Sequence, residues 1–238
     1  MNRVFARLIA GLALVGSVAL VRADLAFDRY VADIVILQDR MIQKEIGVTD
    51  AQRSKMNSFA EADRKKREAL MKQFQKEAEA AQKAGKQYRP QESKVIALNV
   101  ALKDNVIKVL TPTQTKRLRE LTLQNAGITC LMDPKVAKEV GVAPATVTKL
   151  RNLYQDGLKK AAAIQEAAAK QVSPEFKDKK PKSQEEAQKL QQQFMEKVGK
   201  IAGPKVQEVT KKTQAAMVAL LSKANKDKLI ALQGPALK

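Results

Sequence analysis

The chain has 238 residues, with 44 Lys and Arg against 25 Asp and Glu for a net charge of +19, and aromatics make up only 4% of it. It has no histidine and one cysteine. That composition excludes histidine general-base catalysis, His-containing metal sites, Ser-His-Asp or Cys-His nucleophiles and an intrachain disulfide.

Residues 1–23 are a distinct segment. Arg3 and Arg7 precede an apolar run from Leu8 to Val21, and Val21-Arg22-Ala23 puts small residues at the −3 and −1 positions of a cleavage point. This pattern predicts a secretory signal peptide, with an uncleaved anchor helix as the alternative. No later stretch is apolar enough to cross a membrane. Cleavage would remove three Arg and no acid, so the exported chain stays strongly basic. Such a chain can meet anionic lipid, acidic polymers or acidic stretches of unfolded protein, and export weighs against nucleic acid.

Ala, Lys, Gln, Glu and Leu dominate the rest, which predicts an all-α fold of long amphipathic helical hairpins. A first helical segment is expected from Asp28 to Ile46, with a short strand as the alternative for the β-branched VADIVIL portion. Gly47 suits its C-terminus. A second helix starts at Thr49, where Thr49-Asp50-Ala51-Gln52 fits a capping box, and runs to Lys83. Its inner stripe is Met56, Phe59, Leu70 and Phe74, interrupted by Asp63 and Arg67. A third helix spans 91–109, with Val95, Leu98, Leu102, Val106 and Val109 on one side. Leu110 then leads into a fourth, with Thr111 as cap, Pro112 at the first helical position and Gln114 closing a second box. It carries Leu118, Leu121 and Leu123.

The pattern then repeats. QDRMIQKEIGV at 38–48 aligns with MDPKVAKEVGV at 132–142, and LTPTQTKRLREL at 110–121 aligns with LSKANKDKLIAL at 221–232. Two tandem units follow, 24–126 and a diverged 127–238. The second is longer, and its extra length is expected in a mobile, Lys/Pro-rich loop near 171–186. Ala143-Pro144-Ala145-Thr146 replaces the first capping box, Leu150, Leu153, Leu158 and Ile164 form the inner stripe, and Ser222 can cap the last helix. Cys130, beside Ile128, Leu131 and Met132, reads as a buried small hydrophobe, with a reactive thiol as the alternative.

The basic stretch ADRKKREALMKQ is the candidate binding surface. Arg64, Lys65, Lys66, Arg67 and Lys72 surround Leu70 and Met71, with Lys159, Lys160 and Lys170 as candidates in the second unit. The alternative is an ordinary solvated helix face. No Gly-rich phosphate loop and no nucleophile with a base is present, so the chain does not read as an enzyme, and no cofactor is expected.

The pairing of GVTDAQ with LTPTQ about sixty residues later resembles the LTxxQ-motif (Spy/CpxP-like) family of periplasmic proteins. The residues that match are Thr49 and Gln52, then Leu110, Thr111 and Gln114, with Val48 where the family has leucine. The resemblance covers 37–123 closely and 130–235 more distantly. It implies a four-helix hairpin unit that dimerises into a thin, curved cradle in the periplasm. It also implies ATP-independent chaperoning of unfolded or partly folded clients on a basic face, and a sensor-kinase periplasmic domain as a partner. With two units in one chain, the assembly is a homodimer or an intrachain pseudo-dimer. The other functions weighed are a structural or adhesive envelope protein that binds anionic polymers or lipid, and a metal sensor, which the lack of histidine disfavours.

Overall fold

The computed structural model describes residues 25–237 apart from 178, 180 and 182. The expected signal peptide lies outside the described residues. Among these, the fold is all-α, with no strand. The helices are α1 Leu25–Val31, α2 Arg40–Glu45, α3 Asp50–Lys83, α4 Glu92–Val109, α5 Pro112–Ala126, α6 Pro134–Val140, α7 Pro144–Val172, α8 Gln184–Ala219 and α9 Lys223–Gln233. Single 3₁₀ segments occupy Ile34–Gln38, Gly127–Met132 and Ser173–Phe176.

The segment from Asp28 to Ile46 is not one helix. Two aspartates break it: Asp33 accepts the Val35 amide to start the 3₁₀ turn, and Asp39 accepts the Met41 amide to start α2. An Asp side chain that bonds an amide two residues on competes with the helix ladder, and the β-branched Ile34-Val35-Ile36 run weakens that ladder further. Downstream, Gly47 turns the chain in the left-handed region at φ 69° before α3 begins.

α3 pairs with α4, and α7 with α8, as two long antiparallel hairpins. The extra length of the second hairpin lies in helix rather than loop. α8 has 36 residues against 18 for α4. Ser173–Phe176 also stays ordered against it, because Phe176 packs edge-on against Phe194 at 5.4 Å. The irregular stretch is therefore shorter than the expected 171–186.

Apolar burial gathers in three places. One cluster joins Ala32, Leu37, Ile46, Val48, Met56, Val106, Ile107, Leu110, Leu118 and Leu121 at the base of the first hairpin. A second joins Leu131, Val140, Val142, Leu150, Met217, Leu221, Leu229 and Leu232, among others, at the base of the second. A third, around Ala168, Val172, Val198 and Ala202, lies further along α7–α8. Leu158 was expected on the inner stripe but is 47% exposed. The stripe runs through Gly157 instead, where α7 and α8 approach so closely that a Cβ would lie 2.6 Å from Thr213 Oγ1. Leu158 is one residue, and so about 100° of helix, off that line.

α5 holds the two halves together. Arg119, 2% exposed, forms an ion pair with Asp28 of α1 at 2.9 Å and donates to the Leu232 carbonyl of α9. The Asp33 amide donates to Thr122 Oγ1, Gln124 donates to the Gln233 and Pro235 carbonyls at 2.7 Å, and Gln233 donates back to the Leu123 carbonyl. Arg117 bridges Glu45, Glu120 and the Pro235 carbonyl. The first and last described helices thus converge on one central helix.

A second tie joins α1 to the start of α6. The Tyr30 hydroxyl donates to Asp133 at 2.6 Å, and Asp133 also accepts the Lys135 and Val136 amides. Partial burial opposes ionisation of Asp133. The Tyr30 hydroxyl, the two amides and the Lys135 ammonium together outweigh it and hold the carboxyl below its ordinary range. A depressed carboxyl contributes stability that is complete above its unfolded-state value and is lost as pH falls through the folded one. Acid titration of the wild type should therefore loosen the α1–α6 tie below about pH 4. Asp133→Asn, which keeps a capping side chain, should flatten that part of the stability–pH curve. An unchanged curve in chemical denaturation would refute the assignment.

Candidate functional site

Both T-x-x-Q segments are capping boxes, and they form one site. Thr49 Oγ1 accepts the Gln52 amide at 3.2 Å and Thr111 Oγ1 accepts the Gln114 amide at 3.2 Å. In return Gln52 Oε1 accepts the Thr49 amide at 3.0 Å and Gln114 Oε1 the Thr111 amide at 2.9 Å. Pro112 opens α5 at a position that needs no amide donor.

A capping box uses only the oxygen of the third residue, so Glu would serve as well as Gln. Here the amide nitrogens are engaged too. Gln52 Nε2 donates to Gln114 Oε1 at 2.8 Å, and Gln114 Nε2 donates to Gln52 Oε1 at 3.0 Å, which closes a reciprocal amide pair. The second proton of each nitrogen reaches a helix end: Gln52 donates to the Val109 carbonyl at 2.9 Å and Gln114 to the Gly47 carbonyl at 2.8 Å. Each motif therefore starts its own helix and satisfies a carbonyl at the end of another. Leu110, 7% exposed, and Val48, 9% exposed, anchor the two segments in the core beneath. The sequence shows each box. It does not show the clasp between them, because Gln52 and Gln114 are 62 residues apart.

The second half carries part of this arrangement. Ser222 Oγ accepts the Asn225 amide at 3.1 Å, and Asn225 Nδ2 donates to the Gly141 carbonyl at 3.0 Å, as Gln114 does to Gly47. Thr146 stands where a second glutamine would be needed, and Ala143 begins α7 without a side-chain cap.

The clasp is structural chemistry, and it holds the first of the two hairpins that carry the basic candidates. Lys65, Lys66 and Lys72 are exposed and Met71 is 61% exposed. Arg64 is exposed and paired with Glu61 and Glu68. Arg67 is turned toward α4, where it donates to Asn99 Oδ1 at 2.7 Å while paired with Asp63, and Leu70 is half-buried. In the second hairpin Lys160 is exposed, Lys159 lies 4.0 Å from Asp156 and Lys170 pairs with Glu166 at 2.7 Å. Sequence reasoning missed Ile96 and Val100 of α4, both more than half exposed. The signal was available: they are four residues apart and off the inner stripe, so they form a second apolar line on that helix.

Cys130 is buried, and burial with the nearby Asp133 charge pushes its thiol up to about 12. It is a packing residue. No helix among the described residues is long and apolar enough to cross a membrane.

Residues 37–122 match the model of the LTXXQ motif family. This segment belongs to the LTXXQ motif family. The match begins in the 3₁₀ turn before α2 and ends within α5, so it contains both capping boxes, the amide clasp and the whole α3–α4 hairpin of the LTXXQ unit. No curated protein and no solved structure matches the chain.

Proposed function

We propose that the protein is an exported, ATP-independent chaperone or envelope-stress accessory protein, built of two tandem LTXXQ-type units, that holds unfolded or partly folded clients. The observation that carries this reading is the set of exposed apolar and basic side chains on the α3–α4 hairpin in the LTXXQ segment. Met71, Ile96 and Val100 stand in solvent on a hairpin that also presents Lys65, Lys66 and Lys72. Long-range attraction brings acidic, unfolded segments to such a surface, and exposed apolar side chains hold them without close shape matching.

The two-unit reading is supported by matched positions. Asp39 and Asp133 cap α2 and α6, and Gly47 and Gly141 both adopt positive φ. Nine of the ten residues in the first cluster have an aligned counterpart that is buried in the second cluster or packed against it, such as Leu118 with Leu229. The periplasm is the compartment this function requires, and a sensor-kinase periplasmic domain is a partner of the accessory role.

The test is suppression of aggregation of an unfolding model substrate by stoichiometric amounts of the purified protein. Delayed aggregation, weakened by Ile96→Asp with Val100→Asp, is the expected result. Failure of the wild type to delay aggregation removes the chaperone reading and favours binding to anionic polymers or lipid.

A further inference from the structure

Residues 234–237 follow α9 and lie against α5 as a strap. The strap is held by its main chain. Gln124 Nε2 donates to the Gln233 carbonyl at the end of α9 and to the Pro235 carbonyl, both at 2.7 Å. Arg117 donates to the Pro235 carbonyl at 2.8 Å and to the Ala236 carbonyl at 3.5 Å. Pro235, Ala236 and Leu237 are themselves exposed. Gly234 permits the close approach: its φ is 66°, and a Cβ there would strike the Glu120 carboxylate.

Such a set of donors does not read sequence. Carbonyls recur along every polypeptide, so Arg117 and Gln124 can hold any extended segment that places its carbonyls in this register. The Arg117 donors are fixed independently of the strap. The side chain is 14% exposed and paired with Glu45 and Glu120. Withdrawal of the strap leaves both Gln124 protons and the rest of the Arg117 fork to water or to another carbonyl. The site also extends past its occupant. An open groove of about 300 Å³ shares Arg117 and Glu120 and continues toward the start of α5, past Lys116 to Gln114 and Thr113. None of residues 234–237 lines that groove.

We propose that this face of α5 binds the main chain of an extended polypeptide, and that the strap is a built-in occupant which an incoming segment displaces. That the segment belongs to an unfolded client rests on the chaperone reading. The strap lowers apparent affinity according to the fraction of molecules in which it is seated. Gly234→Val should release it, because valine resists the left-handed region and its Cβ meets Glu120, while Arg117 keeps Glu45. The probe, used with the full chain, is a fluorescein-labelled peptide of about ten Gly, Pro, Ala and Leu residues, which stays extended. Fluorescence anisotropy should show binding at least about tenfold tighter by Gly234→Val than by wild type. Adding Gln124→Met should cancel the gain, and a peptide of the same residues in another order should bind alike. In wild type, excess peptide should move the Gly234 and Ala236 amide NMR signals toward random-coil positions, a readout that does not depend on how the variant folds. The proposal is overturned by a Gly234→Val protein with wild-type far-UV CD and no gain in affinity, or by a gain that survives Gln124→Met or depends on residue order. Saturating peptide that leaves the two amide signals in place overturns it as well. The two readings fail separately. Aggregation suppressed by wild type, with no peptide gain in Gly234→Val, removes the strap site and leaves the chaperone. A peptide gain without suppression by either protein removes the chaperone and leaves the site.

Discussion

Arg119→Ala should lower stability by about 3–5 kcal/mol, the largest effect expected of any single substitution in this protein. The guanidinium and its partner Asp28 are 2% and 6% exposed as side chains, so truncation leaves a carboxylate buried without its counter-charge. It also removes the donor to the Leu232 carbonyl, which ties α9 to α5. The loss should be read as a lower denaturation midpoint. It should be accompanied by new protease cleavage between α5 and α6, because α1 and α9 both release the helix they share. Replacing both partners by apolar residues, Arg119→Met with Asp28→Leu, should recover most of the loss, since desolvation of the charges disappears with them. A stability for Arg119→Ala within about 1 kcal/mol of wild type would show that α5 is not the joint between α1 and α9.

Gln114→Glu should cost about 2–4 kcal/mol, although in an isolated capping box the exchange would be close to neutral. Glutamate keeps the oxygen that receives the Thr111 amide. It loses the two protons that now reach Gly47 and Gln52, and it places a carboxylate against two oxygens. Gln52→Glu should behave alike, because the clasp is reciprocal. The second half provides an internal control. Asn225→Asp removes only the donation to the Gly141 and Val140 carbonyls, with no amide partner to lose, and should cost less. Urea denaturation of the three variants would decide the matter. Equal, small losses at all three sites would mean that the motif glutamines are caps and nothing more.

Much of the fold was legible in the sequence because local rules act locally. Thr49 with Gln52, and Thr111 with Pro112 and Gln114, place two helix starts to the residue. The stripe of Val95, Leu98, Leu102, Val106 and Val109 identifies α4. The errors have one local cause and two distant ones. Asp33 and Asp39 hydrogen-bond forward and break what the composition suggested was a single helix. The Pro/Lys/Ser-rich stretch read as loop is partly held in place by Phe176 against Phe194, a residue of α8 outside that stretch. Leu158 was assigned inward by its apolarity, but Gly157 sets the contact line because two backbones meet there.

By itself the sequence determined an all-α chain of hairpins, the places where its helices start, the absence of histidine chemistry and the strong positive charge. These depend on residues no more than a few positions apart, or on composition alone. Only the tertiary structure decided that the two glutamines clasp each other, that Arg119 is buried and joins the first and last described helices, and which apolar side chains stay in solvent. Each of those outcomes depends on groups brought together from distant positions, such as Asp28 with Arg119 or Gln52 with Gln114. A buried arginine and a surface arginine read alike in the sequence. What separates them is whether a partner and a packed helix remove the water around the charge.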